Sequence, residues 1–105
     1  MTMKELLEEL TTQLSELTPL LVEAGDAYGK ASYACSLRRS QLYLGDGCSI
    51  YKNQEMRDAY VISVLLEEGL SEIEFQTRSK WKRLQTEKEL LTEISTNLRA
   101  IIYNK

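Results

Sequence analysis

The chain of 105 residues contains no histidine, so the commonest general base and the commonest metal ligand are both missing. Its two cysteines, Cys35 and Cys48, cannot form a structural zinc site without histidine. Two cysteines at an unremarkable spacing indicate a reducing compartment rather than a disulfide scaffold. The five glycines are scattered and form no phosphate-binding loop. We therefore expect a non-enzymatic protein with no catalytic residue, no cofactor and no bound metal.

Long apolar runs are also missing. No stretch of about 18 apolar residues occurs, so no transmembrane helix and no membrane partner are expected. The charged start of the chain, MTMKELLEEL, does not resemble a secretory signal. Apolar residues make up 43% and charged residues 28%, with a formal net charge of −3, a balance typical of a globular domain. We expect a single cytoplasmic domain spanning residues 1–105.

A heptad repeat occupies the first part of the chain. Its apolar positions are separated by alternating steps of three and four residues, which is typical of a helix that packs lengthwise against another helix. These positions are Met3, Leu7, Leu10, Leu14, Leu17, Leu21, Ala24, Tyr28, Ala31, Cys35, Arg38 and Leu42. The repeat predicts a helix over residues 2–44, with Arg38 as its one charged interruption.

Pro19 lies inside this predicted helix. Proline removes a helical hydrogen bond and crowds the carbonyl four residues earlier. Thr18 followed by Pro19 is also typical of an N-cap and a first helical residue. Either the helix kinks near residues 15–19, or a short N-terminal helix precedes a longer one. The unchanged phase of the heptad repeat favours the kink.

A turn over residues 45–52 separates the first helix from a second one. Gly45 suits the left-handed residue that ends many helices, and Ser49 or Asn53 could cap the next helix. We predict one uninterrupted second helix over residues 53–102. Its heptad positions are Met56, Ala59, Ser63, Leu66, Leu70, Ile73, Thr77, Trp81, Leu84, Lys88, Leu91, Ile94, Leu98 and Ile101.

Two helices joined by a short turn pack as antiparallel neighbours, so the sequence predicts an all-α, coiled-coil-like helical hairpin. The predicted register places Arg38 opposite Glu55 or Asp58. It also places the acidic start of the first helix opposite the basic stretch between Arg78 and Lys88. Exposed ion pairs contribute less than about 1 kcal/mol each, so these charges would select the orientation more than they would stabilise it.

Residues 59–66, AYVISVLL, are apolar almost all round the second helix. A helix that is apolar on every side has to be covered on several sides, whereas one partner helix covers only one. We therefore expect two hairpins to pair into a homodimeric four-helix bundle. The alternative cover is the N-terminal segment, folded back at Pro19.

Two surface groups are candidates for binding a partner. Tyrosine is enriched at protein interfaces, and Tyr33, Tyr43, Tyr51 and Tyr60 gather near the predicted turn. A tryptophan among cations can stack on a base while the cations neutralise phosphates. This second group consists of Arg78, Lys80, Trp81, Lys82, Arg83 and Lys88. Ordinary packing in the heptad seam, with the cations facing the acidic first helix, also explains the second group.

Four short stretches are similar to a known group of proteins: ELTP at 16–19, YGKA at 28–31, NQEMRDA at 53–59 and STNLRA at 95–100. Through them the chain resembles small uncharacterised helical-hairpin proteins of bacteriophages and prophages, although its turn is longer. The resemblance implies a phage accessory protein in the bacterial cytoplasm, acting beside replication or recombination genes, and it transfers no catalytic residue.

Two functions follow as hypotheses. The first is a non-enzymatic protein that self-associates and binds a protein partner through a helical face. The alternative is a nucleic-acid-binding accessory protein that uses the basic stretch at 78–88.

Overall fold

A computed structural model describes residues 1–104 of the protein and shows four helices. They are α1 (Met3–Leu44), α2 (Asp46–Ser49), α3 (Gln54–Glu67) and α4 (Leu70–Tyr103). No strand occurs among the residues it describes. The prediction of an all-α helical hairpin is confirmed.

The Thr2 side chain caps the start of helix α1. The Thr2 hydroxyl accepts a hydrogen bond from the Glu5 backbone N–H at 3.1 Å and donates one to the Glu5 carboxylate at 3.2 Å. Every heptad position of α1 after Met3 is buried or half-buried, while most of the remaining positions are exposed. The heptad repeat therefore identified the packed side of α1 correctly.

Pro19 does not interrupt α1, which is helical from Met3 to Leu44. The alternative of two separate helices is therefore wrong. One residue earlier, the Thr18 hydroxyl donates a hydrogen bond to the Leu14 carbonyl at 2.9 Å. Pro19 itself is exposed, so its ring meets solvent and not a packed neighbour.

The connection after α1 differs in detail from the predicted turn. Gly45 has φ −86° and ψ 164°, an extended conformation in which it serves as the N-cap of the short helix α2. The predicted left-handed role of Gly45 is wrong. Asn53 does cap α3, because its side-chain oxygen accepts a hydrogen bond from the Met56 backbone N–H at 2.8 Å.

The predicted single helix over 53–102 is wrong, because the chain breaks between α3 and α4. Gly69 has φ +76°, the one positive φ among the described residues. An α-helix cannot pass through a left-handed residue, so α3 ends at Glu67 and α4 begins at Leu70. Apolar residues repeat at steps of three and four both before and after Gly69, so the sequence pattern did not indicate this break.

Replacing Gly69 with alanine tests the break. We expect Gly69→Ala to lower the free energy of unfolding by about 1 kcal/mol, because alanine resists a positive φ. No atom lies within 4 Å of a Cβ built on Gly69, so the loss would come from the backbone alone. Gly29 is a matched control inside α1, where a Cβ also meets nothing. Gly29→Ala should raise stability by about 0.5–1 kcal/mol, and urea denaturation measures both.

The chain divides into two compact units. The first joins Met1–Gly25 to the part of α4 that begins at Ser79. Its core consists of Leu17, Ala24 and Leu84, with Leu21, Trp81 and Leu91 packed against it. Leu17 and Leu91 line one depression, and Gly25 lies against Trp81. Earlier residues of α1 thus meet later residues of α4, which makes the two helices antiparallel.

The second unit is Asp26–Arg78. Its buried core consists of Cys35, Leu42, Cys48, Val61 and Leu65. The Arg38 guanidinium forms an ion pair with Glu68, N to O 2.8 Å, and not with Glu55 or Asp58. The predicted register is therefore wrong by ten residues at Arg38. The helical turn of α2 lies between Arg38 and Glu68 and changes which residues of α1 and α3 face each other, and the simple hairpin register did not include it.

Among the described residues, none of the helices combines the length and the apolar character that a membrane span requires. The single domain and the homodimeric four-helix bundle stay predictions.

Candidate protein-binding surface

Helix α3 has two apolar sides, and only one is packed. Val61 and Leu65 point into the core of the second unit and are 1% and 2% exposed. Burial of each such side chain stabilises the fold by about 1.5–3 kcal/mol. This inner side fixes α3 in place and leaves the opposite side at the surface.

The opposite side of α3 is exposed and largely apolar. We call it the outer face of α3, and it consists of Met56, Ala59, Ile62, Ser63 and Leu66. Met56, Ile62 and Leu66 are 48%, 56% and 61% exposed. Four of these five residues are heptad positions of the predicted second helix, and the prediction that these positions are packed is wrong for α3.

A shallow depression of about 310 Å³ adjoins the outer face. Tyr51, Met56, Ala59, Tyr60 and Ser63 line it. The rings of Tyr51 and Tyr60 lie 5.5 Å apart at 37° to each other. Two aromatic rings beside the small Ala59 and Ser63 side chains form a concave site suited to an apolar side chain from a partner.

Gly47 positions one of these rings. A Cβ built on Gly47 would overlap the hydroxyl of Tyr60, so only glycine leaves room for the ring where it lies. Tyr60 also packs against the core of the second unit. The turn sequence thus determines the shape of the depression as well as the direction of the chain.

The four predicted interface tyrosines do not form one surface. Tyr51 and Tyr60 lie together at the depression. Tyr43 instead donates its hydroxyl to the Asp58 carboxylate at 2.5 Å. Tyr33 is 70% exposed and is not among the residues that line the depression. Only half of the predicted tyrosine face therefore contributes to the candidate surface.

Asp58 connects α1 to α3 by hydrogen bonds. Its Oδ1 accepts one from Tyr43 at 2.5 Å and another from Gln54 at 2.7 Å. Both bonds favour the ionised carboxylate, so the pKa of Asp58 lies below its ordinary value of 3.8. The same bond, together with partial desolvation and the charge of Asp58, raises the pKa of Tyr43 above 10.0.

This cluster predicts a loss of stability in acid. A carboxyl group whose pKa is lowered in the folded state contributes stability that is present above pH 3.8 and is lost as the pH falls further. We expect the free energy of unfolding of the wild type to fall more steeply below about pH 4 than that of Asp58→Asn. Urea denaturation between pH 6 and pH 2.5 measures the difference, and parallel curves would contradict the assigned role of Asp58.

The predicted basic residues fall into both units. Arg78 belongs to the second unit, whereas Lys80, Lys82, Arg83 and Lys88 belong to the first and are exposed. Arg38–Glu68 is the one ion pair among the residues that the structure describes. The cations of α4 therefore do not pair directly with the acidic start of α1, contrary to the packing interpretation of this stretch.

Trp81 is half-buried in the first unit. It packs against the core formed by Leu17, Ala24 and Leu84. A Cβ on Gly25 would lie 3.1 Å from the indole Nε1, so the ring rests close over the Gly25 backbone. Its role as a packed heptad residue is confirmed, and this packing leaves less of the ring available for stacking on a base.

Cys35 and Cys48 are free thiols, each 1% exposed. Burial and the nearby Glu74 carboxylate raise the pKa of the Cys35 thiol, because both disfavour the thiolate. Buried neutral thiols are poor nucleophiles. Within residues 1–104, no group of three or more cysteine and carboxylate side chains could hold a metal ion.

Comparison with known proteins gives no relative: the chain matches no protein family, no curated protein and no solved structure. The resemblance to phage and prophage proteins therefore stays a prediction.

Proposed function

We propose that this chain is a non-enzymatic interaction protein, and that the outer face of α3 receives a helix from another protein. One observation carries the proposal: Ile62 and Leu66 are more than half exposed on the same helix whose Val61 and Leu65 are buried. Large apolar side chains that lie together at a surface commonly mark a site of protein association.

The geometry indicates what such a partner looks like. Met56, Ile62 and Leu66 are 48%, 56% and 61% exposed, so the outer face is an apolar patch of the kind that commonly marks a binding site. The outer face forms a straight row along α3, a helix of 14 residues. Such a row can bind an amphipathic helix whose apolar residues recur at steps of three and four. The central depression between Tyr60 and Ser63 would accept one larger apolar side chain of that helix.

A selection of displayed helical peptides against the full-length chain tests the proposal. We expect amphipathic helices to be enriched and to lose binding to Ile62→Asp, because the new carboxylate would be buried without a partner. Leu37→Asp is the matched control, since Leu37 is a 47% exposed apolar residue on α1. Circular dichroism and the melting temperature establish that both variants are folded.

Two results would overturn the proposal. One is the absence of any enriched helical peptide. The other is a set of peptides that bind the wild type and Ile62→Asp equally well but lose binding to Leu37→Asp. The second result would move the binding surface from α3 to α1.

A second candidate function is nucleic-acid binding by the first unit. It is supported by the exposure of Lys80, Lys82 and Arg83, whose side chains make no ion pair with the other described residues. We expect a triple charge reversal to abolish any retention of labelled single-stranded DNA or RNA at low salt, while binding of helical peptides to α3 persists. No retention of the wild type at low salt would eliminate this function.

A cytoplasmic location is part of the proposal. It is supported by two buried free thiols in a chain that needs no disulfide to form its core. A role as a phage accessory protein in a bacterial host rests on the sequence resemblance alone.

A further inference from the structure

The charges at the ends of the outer face of α3 indicate which kind of helix it binds. Resting on the proposed function, we infer that the partner is a basic amphipathic helix, one whose apolar side has lysine or arginine at its edges. Contact between the apolar sides provides the affinity. Two carboxylates of α3, Glu55 and Glu67, select the charge of the partner.

The outer face lies within two neighbouring rows of side chains on α3. Residues separated by steps of three and four lie in one row of a helix. The first row is Glu55, Ala59, Ile62 and Leu66, and the second is Met56, Tyr60, Ser63 and Glu67. A carboxylate therefore begins the first row and another ends the second. The side chains between them in both rows are uncharged.

No cation of α3 neutralises these two carboxylates. Both are exposed, and neither takes part in the one ion pair of the described residues. Arg57 is the one basic residue of α3, and it lies one turn before the buried Val61, on the inner side. Its Nε donates a hydrogen bond to the Tyr51 carbonyl at 2.9 Å. Lys52 lies before the helix begins. The ends of the face therefore favour a partner with basic side chains at both ends of its apolar side.

Long basic side chains also suit the shape of the face. Each carboxylate lies one turn from a small side chain of its own row, Glu55 from Ala59 and Glu67 from Ser63. Lysine and arginine have apolar stems that pack on apolar surface while their charged ends stay in solvent. Such a stem has room over Ala59 or Ser63, and its charge then reaches the carboxylate beyond.

The two carboxylates disfavour other occupants of the face. Nucleic acids and anionic membrane surfaces carry negative charge, which the acidic ends of the face would repel. A second copy of this chain would bring the same two carboxylates to the contact and no cation to pair with them. A basic amphipathic helix is the occupant whose charge complements that of the face.

Three synthetic amphipathic helices test the inference. They share one set of leucines at steps of three and four, and they have lysine, glutamine or glutamate at the edges of the leucine side. We expect the full-length chain to bind the lysine helix at least about ten-fold more tightly than the glutamate helix at low salt, measured by fluorescence anisotropy. High salt should reduce this difference, because it screens exposed charges. Ile62→Asp should bind none of the three.

Charge reversal tests the role of the two carboxylates. The double variant Glu55→Lys and Glu67→Lys should bind the glutamate helix more tightly than the lysine helix. The matched control is Glu8→Lys with Glu9→Lys, at two exposed positions of α1. The two double variants have the same net charge, so a general attraction between the chain and a basic peptide would change equally in both. The control should keep the preference of the wild type, and circular dichroism establishes that both variants are folded.

The possible outcomes separate this inference from the proposed function. Equal binding of the three helices, lost in Ile62→Asp, would overturn the inference and leave the proposed function intact. A preference for lysine that survives reversal of Glu55 and Glu67 would do the same. Binding of none of the three helices would overturn the inference, and the selection of displayed peptides would still decide the proposed function. A dimer that sedimentation detects and Ile62→Asp dissociates would assign the face to a second copy and overturn the inference.

Discussion

Leu65→Ala should lower the free energy of unfolding by about 2–5 kcal/mol, whereas Leu66→Ala should change it by no more than about 0.5 kcal/mol. Leu65 is 2% exposed and Leu66 is 61% exposed. Removal of three carbon atoms leaves a cavity in the first case and only trims the surface in the second. Urea denaturation of the two variants beside the wild type measures the difference.

These neighbouring residues are each other's control, because they have the same side chain and lie on the same helix. Leu66 occupies a heptad position of the sequence pattern and Leu65 does not. Equal losses, or a larger loss in Leu66→Ala, would mean that α3 is rotated and that its outer face is in fact packed. Because Leu66→Ala keeps the fold, it can also be used to measure binding.

Pro19→Ala should raise the free energy of unfolding by about 1–3 kcal/mol, which makes it the largest stabilisation expected from a single substitution here. Pro19 is exposed within the continuous helix α1, and it has no N–H to donate to the Ser15 carbonyl. Alanine restores this hydrogen bond without disturbing the packed side of the helix. Thermal and urea denaturation measure the gain.

Ser15→Ala is the control for Pro19→Ala. Ser15 is exposed one turn earlier in α1, so its replacement should change stability only by the small difference in helix propensity, about 0.5 kcal/mol. A loss of stability in Pro19→Ala would show that the proline supports a bend on which the packing of α1 depends.

The sequence was sufficient to predict the packed side of α1 because its heptad repeat keeps one phase from Met3 to Leu42. Apolar residues outside this stripe do not repeat as regularly, so the repeat indicates which side of α1 is packed. The N-cap of α3 was also predictable, since Asn53 is the kind of residue that caps a helix and a long helical pattern follows it.

The orientation of α3 was not predictable in the same way. Val61 and Leu65 could not be distinguished from Ile62 and Leu66 by periodicity, because the segment is apolar on every side. The left-handed conformation of Gly69 changes the phase between α3 and α4, and a glycine inside a helical pattern does not reveal this by itself. Only the contacts with Cys35, Leu42 and Cys48 determine which side is buried.

The candidate site was predicted in part. An uncovered apolar side near the turn followed from the composition of residues 59–66, and Tyr51 and Tyr60 were correctly placed near it. Tyr43 and Tyr33 were grouped with them because they are close in sequence. The structure separates them, since the bond to Asp58 holds Tyr43 and Tyr33 lies on α1.

Hydroxyl-radical labelling with and without a selected amphipathic helical peptide tests most directly whether the outer face of α3 binds another helix. The free chain should be labelled at Met56, Ile62 and Leu66, and the bound peptide should protect these three side chains. Leu44 and Ile50, which are 89% and 72% exposed in the same unit, should stay labelled in both samples. Labelling of α3 that the peptide leaves unchanged, or protection of Leu44 and Ile50 instead, would contradict the account.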